Sequence, residues 1–344
     1  MCAQQLVYPN LGEPTRRDRM AQFFGAKRYI AGTDMEKAVI VARGFHARSM
    51  PVILDLLGEA GNGSGTKSER IRKTLAVGDV VAQLATDEGL KMAMAIRPGQ
   101  FENDHTALRN MAATLADRGI FVWIDMERMG AVQATLDSYK RCAVARPGMI
   151  GLALQAYLQR TERDLQNLLE FSSNGGVPIE LRFVRGVYLD EADVGGFSAM
   201  HENLARLVYT ALKSDIPQVR VHMASHNPEQ VARAILLRRI YGERMASNQL
   251  LLGVYRDEMP NFLETDPRAQ KTPATIYVPF GPDVEKYLTR RKEEAGKTMF
   301  ALWAMGFREG RNTIKLRDIL DSVDAGLGTM NMSSDKLPFD YVEL

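Results

Sequence analysis

Short apolar or alternating runs recur along the chain, each followed by a longer stretch whose apolar positions fall three and four residues apart. The first pattern suits strands and the second amphipathic helices. Strands are predicted at 51–56, 91–96, 120–125, 149–155, 179–184, 218–222, 249–252 and 274–278. Helices are predicted between them at 67–86, 104–118, 130–145, 160–172, 196–213, 228–241 and 257–263, and after the last strand at 283–294. The seventh helix has the weakest pattern, because Pro260 and Pro267 flank a short run. Eight strand–helix units in succession predict an α/β chain folded as a TIM-like (βα)8 barrel. The alternative is a doubly wound open sheet. No G-x-G-x-x-G turn follows the first strand, and the glycines between Gly58 and Gly65 lack that spacing.

Outside the alternation, residues 1–50 read as a helical arm. Helical spacing spans 35–47, and Thr33-Asp-Met-Glu36 is a candidate capping box. After the eighth strand, 295–307 predicts a further apolar helix carrying Ala301, Trp303, Ala304 and Phe307. The stretch 326–344 carries little pattern. The expected organisation is one domain: an arm at 1–50 packed on the barrel, a barrel at 51–310 and a tail at 311–344.

Composition narrows the classes. The chain of 344 residues is 45% apolar and 25% charged, which is globular usage with ample material for one large barrel. A net charge of +2 gives no electrostatic footprint for nucleic acid. Two distant cysteines, Cys2 and Cys142, make no disulfide framework and no metal spacing. The polar first 20 residues hold Arg16, Arg17 and Arg19 without a signal-peptide core, and no run nears the ~20 apolar residues of a membrane span. The expected setting is cytoplasmic.

In a barrel, chemistry gathers at the C-terminal ends of the strands. Those ends carry Asp55 and Glu59; Arg97; Asp125 and Glu127; Gln155, Tyr157 and Arg160; Arg182, Arg185, Gly186 and Tyr188; His222, His226 and Asn227; Leu251; and Tyr277. The set is rich in arginine, amide and phenol and holds no obvious hydrolytic nucleophile. Many donors and few bases suit an anionic, electron-poor, planar ligand such as a flavin with its pyrophosphate. Plainer readings exist for single residues. Arg182 and Arg185 can pair with Asp190, Glu191 and Asp193, and His226-Asn227 before Pro228 can be a turn and a helix cap. Gln155 on an apolar strand needs a polar partner. His222 and His226, four apart, raise a metal-dependent hydrolase barrel as an alternative, but a catalytic zinc wants three protein ligands, and no third histidine stands at a strand end.

One late stretch adds a hook. Past Pro279 to Pro282, Asp283 is a candidate N-cap, and Arg290 and Arg291 follow Tyr287 at three and four residues on the predicted helix. Two guanidinium groups beside an aromatic ring can clamp a carboxylate. The plainer reading pairs them with Glu293 and Glu294 on a solvated face.

Taken in order, these motifs resemble the proline dehydrogenase family. The resemblance rests on Arg182-Phe-Val-Arg-Gly-Val-Tyr188, Ala224-Ser-His-Asn227, Tyr277-Val-Pro-Phe-Gly281 and Tyr287-Leu-Thr-Arg-Arg291. The stretches Ala31 to Ala38, Leu54 to Glu59, Asp125 to Glu127 and Leu154 to Arg160 support it, so that it covers residues 25–300. It implies a distorted (βα)8 barrel that binds FAD and oxidises L-proline to Δ1-pyrroline-5-carboxylate by hydride transfer to flavin N5. It implies that Arg290 and Arg291 hold the substrate carboxylate. Tyr277, Tyr287, Tyr188 and Leu251 line the amino-acid pocket, and Asp125 orients strand-end cations. Gln155 and Arg182 contact the isoalloxazine, while Arg185, Gly186, His226, Asn227 and Glu294 serve the rest of FAD. It also implies a quinone as electron acceptor, with peripheral contact at the inner face of a membrane. Two departures stand out: Arg97 where the family carries lysine, and Lys292-Glu-Glu-Ala-Gly296 in place of its Leu-x-Glu-Asn ending. They make a modified proline, or another cyclic or N-alkyl amino acid, the alternative substrate. A non-catalytic barrel that binds flavin or an amino acid is the third reading.

Overall fold

The structure, a computed structural model, describes residues 6–11, 26–58, 65–254, 258–283, 287 and 311–327. Helix α1 (Met35–His46) precedes β1 (Val52–Leu56). Then follow α2 (Lys67–Glu88), β2 (Met92–Ile96), α3 (His105–Asp117), β3 (Phe121–Ile124), α4 (Val132–Ala145) and β4 (Ile150–Gln155). Next come α5 (Arg160–Gly175), β5 (Ile179–Val184), α6 (Phe197–Lys213), β6 (Val219–Ala224), α7 (Pro228–Tyr241) and β7 (Met245–Leu251). The chain continues through α8 (Glu258–Thr265), β8 (Ala274–Phe280) and α9 (Arg311–Leu327). The eight strands form one closed parallel barrel in chain order. It is shut by β8 on β1, with Ile53 beside Tyr277 and Asp55 beside Pro279. The open-sheet alternative is thereby set aside. The expected helix at 283–294, the one at 295–307, the Arg290–Arg291 pair and Glu294 lie outside the described residues.

Strand periodicity sends alternate side chains to opposite faces. Leu54, Val122, Leu152, Leu181, Val221 and Ile276 join the main core between strands and helices. Each such burial is worth ~1.5–3 kcal/mol. Ile53, Ala95 and Trp123 form a separate cluster inside the barrel, with Phe121 and Tyr277 packed against it. The helices begin where capping chemistry allows. Thr66 starts α2 with a capping box to Glu69, and Gly89 ends it in the left-handed region at φ 66°. Asp104 caps α3 through the backbone N–H groups of Thr106 and Ala107.

Two features differ from the pattern reading. Strand β7 starts at Met245 rather than 249, because Ser247, Asn248 and Gln249 break the apolar run although all three are buried. Helix α9, which the pattern did not mark, packs on α7 and α8 through buried Leu316 and Leu320. Exposed ion pairs accompany it, Lys315 to Glu229 at 2.5 Å and Arg239 to Asp324 at 2.8 Å. None of the helices among the described residues is long and apolar enough to cross a membrane.

Candidate active site

The strand ends open on a cavity of about 590 Å³. Its lining includes Arg97, Asp125, Gln155, Arg182, Arg185, Gly186, Tyr188, His226, Asn227, Leu251, Tyr277 and Tyr287. These are all the expected site residues that the structure describes.

A single polar lattice crosses the floor. The Asp55 carboxylate, 1% exposed, is ion-paired with Arg97. Arg97 Nη2 approaches the Tyr277 hydroxyl at 3.3 Å, and that hydroxyl donates to Asp125 Oδ2 at 2.7 Å. The other Asp125 oxygen accepts from Arg182 Nη2, while Arg182 Nη1 donates to Gln249 Oε1 at 3.1 Å. Residues from six strands or strand ends are thus joined, two carboxylates against two guanidinium groups. Arg182 also lies between two rings, its Cζ 4.9 Å from the Trp123 centroid and 5.2 Å from that of Tyr277. Burial pushes the Arg182 pKa down to about 10, so the group remains a cation at neutral pH. Burial, with Asp55 nearby, raises the Tyr277 phenol far enough to keep its proton throughout the working range.

The plainer pairing expected for Arg182 does not occur. Asp190 and Glu191 instead take Arg128, at 2.8 and 3.1 Å. Arg185 lies over the Phe197 ring at 5.0 Å. Asn227 does act as a cap, its Oδ1 accepting from Glu229 N–H at 2.8 Å at the start of α7, whereas His226 reaches across to β7, its Nε2 accepting from Leu251 N–H at 2.8 Å. Tyr188 donates to Glu127 at 2.7 Å, and Glu127 also accepts from Gly99 N–H at 3.2 Å, which ties three strand-end loops together. Gly186, at φ 111°, lets its loop pass so close to Tyr157 that a Cβ would lie 1.5 Å from the ring.

His222 lies beneath this floor and His226 at the cavity. The two ring nitrogens of His222 are engaged, Nδ1 with Ser247 at 2.8 Å and Nε2 with Glu180 at 2.6 Å. No group of three or more His, Cys, Asp or Glu side chains that could hold a metal ion occurs among the described residues. Desolvation lowers the His222 pKa below its ordinary 6.5. For Glu180 burial is the largest single influence and acts upward, but the hydrogen bond and charge of His222 together with Arg220 outweigh it, and the net shift is below 4.5. Both signs make acid destabilising. The unfolded chain takes up the His222 proton first, so this stability is full above 6.5 and drains as the pH falls, with the Glu180 share following below 4.5. Unfolding titrations from pH 8 to about 4 should show that decline, and His222→Gln should flatten its upper part.

Several lining residues escaped the sequence reading. Tyr29 comes from the arm, His201 from the second turn of α6, Gln249 from β7, and Asn312 and Lys315 from α9. Only Gln249 carried a signal, as the polar first residue of the otherwise apolar strand predicted at 249–252.

With this geometry described, comparison with known proteins places the chain. The family model for proline dehydrogenase matches residues 41–300. A proline dehydrogenase of Deinococcus radiodurans is 28% identical over 285 residues, covering 78% of this chain and 86% of that one. Proline dehydrogenase 1 of Bacillus subtilis (strain 168) is 24% identical over 284 residues, with 78% and 86% coverage. Among solved structures, proline utilization A from Bdellovibrio bacteriovorus, inactivated by N-propargylglycine, superposes with a TM-score of 0.69 at 20% identity over 79% of this chain. Proline utilization A from Bradyrhizobium japonicum (mutant D778Y) gives 0.64 at 17% identity over 85% of this chain. The chain spans about a third (33%) of each of those two longer proteins, so they speak for the fold. The family match spans the barrel strands and the loops that build the cavity, and this chain belongs to the proline dehydrogenase family.

Proposed function

We propose that this chain is an FAD-dependent dehydrogenase that oxidises L-proline to Δ1-pyrroline-5-carboxylate. One observation carries the cofactor: at the cavity floor, Gln155 Oε1 and Arg182 Nε are fully buried polar atoms with no hydrogen-bond partner among the described residues. An acceptor and a donor left unmatched on two residues that line one cavity suit a planar ligand with both kinds of edge. FAD, when bound there, supplies an electron-poor ring that accepts a hydride. Gln155 and Arg182 hold its isoalloxazine, and Arg185, Gly186, His226, Asn227 and Glu294 hold the remainder.

The chain's own groups then position and bias. Arg290 and Arg291 clamp the substrate carboxylate and turn one ring C–H toward the acceptor; Tyr188, Tyr287, Leu251 and Tyr277 shape the space around it. Arg182 is a fixed cation where electron density rises, and Asp125 keeps it aimed. Both carboxylates of the lattice are engaged, Asp125 by Arg182 and Tyr277 and Asp55 by Arg97, so neither is placed to take a proton from the substrate nitrogen. The amine therefore enters neutral, and the rate should rise with pH as it deprotonates. A quinone is the proposed acceptor, reached through peripheral membrane contact.

A second reading, with a modified proline or another cyclic or N-alkyl amino acid as substrate, draws on Arg97. Its ion pair with Asp55 fixes a bulky planar cation at the pocket edge, and no lysine-like proton loss is available there. Dye-coupled turnover over a panel of cyclic and N-alkyl amino acids tests the two readings. The highest kcat/KM for L-proline supports the first, and the highest for a substituted ring supports the second. Arg290→Ala and Arg291→Ala should retain the flavin spectrum and raise the KM about 10–100-fold each, from the ~1.5–3 kcal/mol of a charged hydrogen bond. An unchanged KM removes the clamp assignment.

A further inference from the structure

Beneath the cavity floor the barrel interior holds a second ordered set of polar groups that the proposed reaction does not use. Glu180 enters from the start of β5, His222 from β6 and Ser247 from β7. A carboxylate only accepts, so the imidazole donates from Nε2 to Glu180 at 2.6 Å and accepts at Nδ1 from the Ser247 hydroxyl at 2.8 Å. This fixes both tautomer and ring plane. Ser247 is 4% exposed and His222 8%, which leaves no room for a substrate at the hydroxyl. The order serine, imidazole, carboxylate therefore does not act here as a nucleophile.

What it touches is the support of Arg182. His222 and Arg182 are register partners on adjacent strands and share the inner face. The His222 ring meets the Trp123 ring at 4.9 Å and 86°. Trp123 in turn carries the Arg182 guanidinium on its face at 4.9 Å. The indole has space only because its register partner on β4 is Gly151, where a Cβ would come within 2.5 Å of the ring. Gln249, which holds Arg182 Nη1, is two residues from Ser247 on the same face of β7. The imidazole thus abuts the guanidinium's platform and is held by the same strand that holds the guanidinium.

We propose that Glu180, His222 and Ser247 form a positioning set that locks a neutral imidazole under Trp123 and thereby fixes Arg182 beneath the reacting centre. The proposal rests on the reading of Arg182 as the cation beside the flavin. The charged groups facing His222 are Glu180 and Arg182 from β5 and Arg220 on its own strand, the last 3.5 Å from Glu180. Burial is the largest influence and lowers the ring's pKa; Glu180 at 2.6 Å opposes it and the two arginines add to it, so with the net shift below 6.5 the neutral ring is the form at neutral pH. A proton added there sets a third cation beside Arg182 and against the indole.

Two readouts test this on the full-length protein. The chain has two tryptophans, so in a Trp303→Phe background the emission comes from Trp123. That emission should hold steady down to pH 6.5 and fall only below it, since an imidazolium quenches an adjacent indole, and His222→Gln should abolish the inflection. An inflection that persists in His222→Gln, or one in the Trp303→Phe protein at or above pH 6.5, overturns the proposal, whatever the protein oxidises and whether or not flavin is bound. The second readout is the midpoint potential of the bound flavin at pH 7.5, measured by dye-linked reductive titration without amino acid. His222→Leu should lower it, because a loosened Arg182 stabilises the reduced ring less. His222→Gln, which keeps a donor to Glu180, should restore it. In turnover, His222→Leu should lower kcat about tenfold per bound flavin with the KM within twofold, since the carboxylate clamp is elsewhere. A KM effect with unchanged kcat and potential would leave His222 a merely structural residue. Protein without flavin would count against the proposed function instead, with the emission test still deciding this inference.

Discussion

Asp125→Ala should cost about 3–5 kcal/mol of folding stability and abolish most turnover. The carboxylate receives Arg182 on one oxygen and the Tyr277 hydroxyl on the other. Its removal strands a guanidinium whose side chain is 4% exposed, together with the hydroxyl of a half-buried phenol. The desolvation already spent on Arg182 is then uncompensated, and the group either draws in water or swings away from the floor. Either outcome costs activity beyond the stability loss, because a cation a fraction of an ångström out of place no longer faces the developing charge. Denaturant unfolding and kcat/KM measured on the same preparations check both halves. Asp125→Asn sharpens the test. It keeps an acceptor for Tyr277 and loses the charge, so it should recover part of the stability and little of the rate. A loss below about 1 kcal/mol in Asp125→Ala would mean that the lattice is not the organising feature of the floor.

Gly186→Ala should be as damaging through a different cause. At φ 111° an L-residue is strained, and its Cβ would overlap the Tyr157 ring at 1.5 Å. Tyr157 cannot retreat: it is fully buried, its N–H donates to Arg185 O at 2.9 Å and its carbonyl accepts from Asp193 N–H at 3.1 Å. Strain of ~1–3 kcal/mol and overpacking of ~1–3 kcal/mol add to roughly 4 kcal/mol. The segment that must move carries Arg185 and Tyr188, so bound flavin and proline affinity should fall together. Flavin content after purification, set beside the thermal midpoint, measures it. Full flavin content with an unchanged midpoint would contradict the packing account.

How much of this was legible in the sequence depended on the range of the interaction. All eight strands announced themselves, because strand and helix periods are local and alternate here with little interruption. The one large shift, the early start of β7, came where the inner face turns polar: Ser247 and Gln249 serve His222 and Arg182, partners 25 and 67 residues away in the chain. Strand-end polar residues were found by position alone, since barrel topology gathers them whatever their separation. Their pairing was not. Local charge proximity suggested Asp190 and Glu191 for Arg182, yet closure of the barrel delivers Asp125, 57 residues upstream. Trp123 and Gly151 looked like ordinary core residues, and only the register that sets them side by side reveals a platform. Helix α9 brings Asn312 and Lys315 to the cavity from a stretch whose pattern predicts only a tail, because its apolar stripe is thin and finds its partners on α7 and α8.

The most direct test of the account is an anaerobic mixing experiment on the purified protein. L-Proline added in excess should bleach the visible flavin band in a single phase, with one Δ1-pyrroline-5-carboxylate formed per flavin, and the rate of bleaching should climb with pH. A flavin band that survives proline and every related cyclic amino acid, or a pure folded protein that carries no flavin, would contradict it.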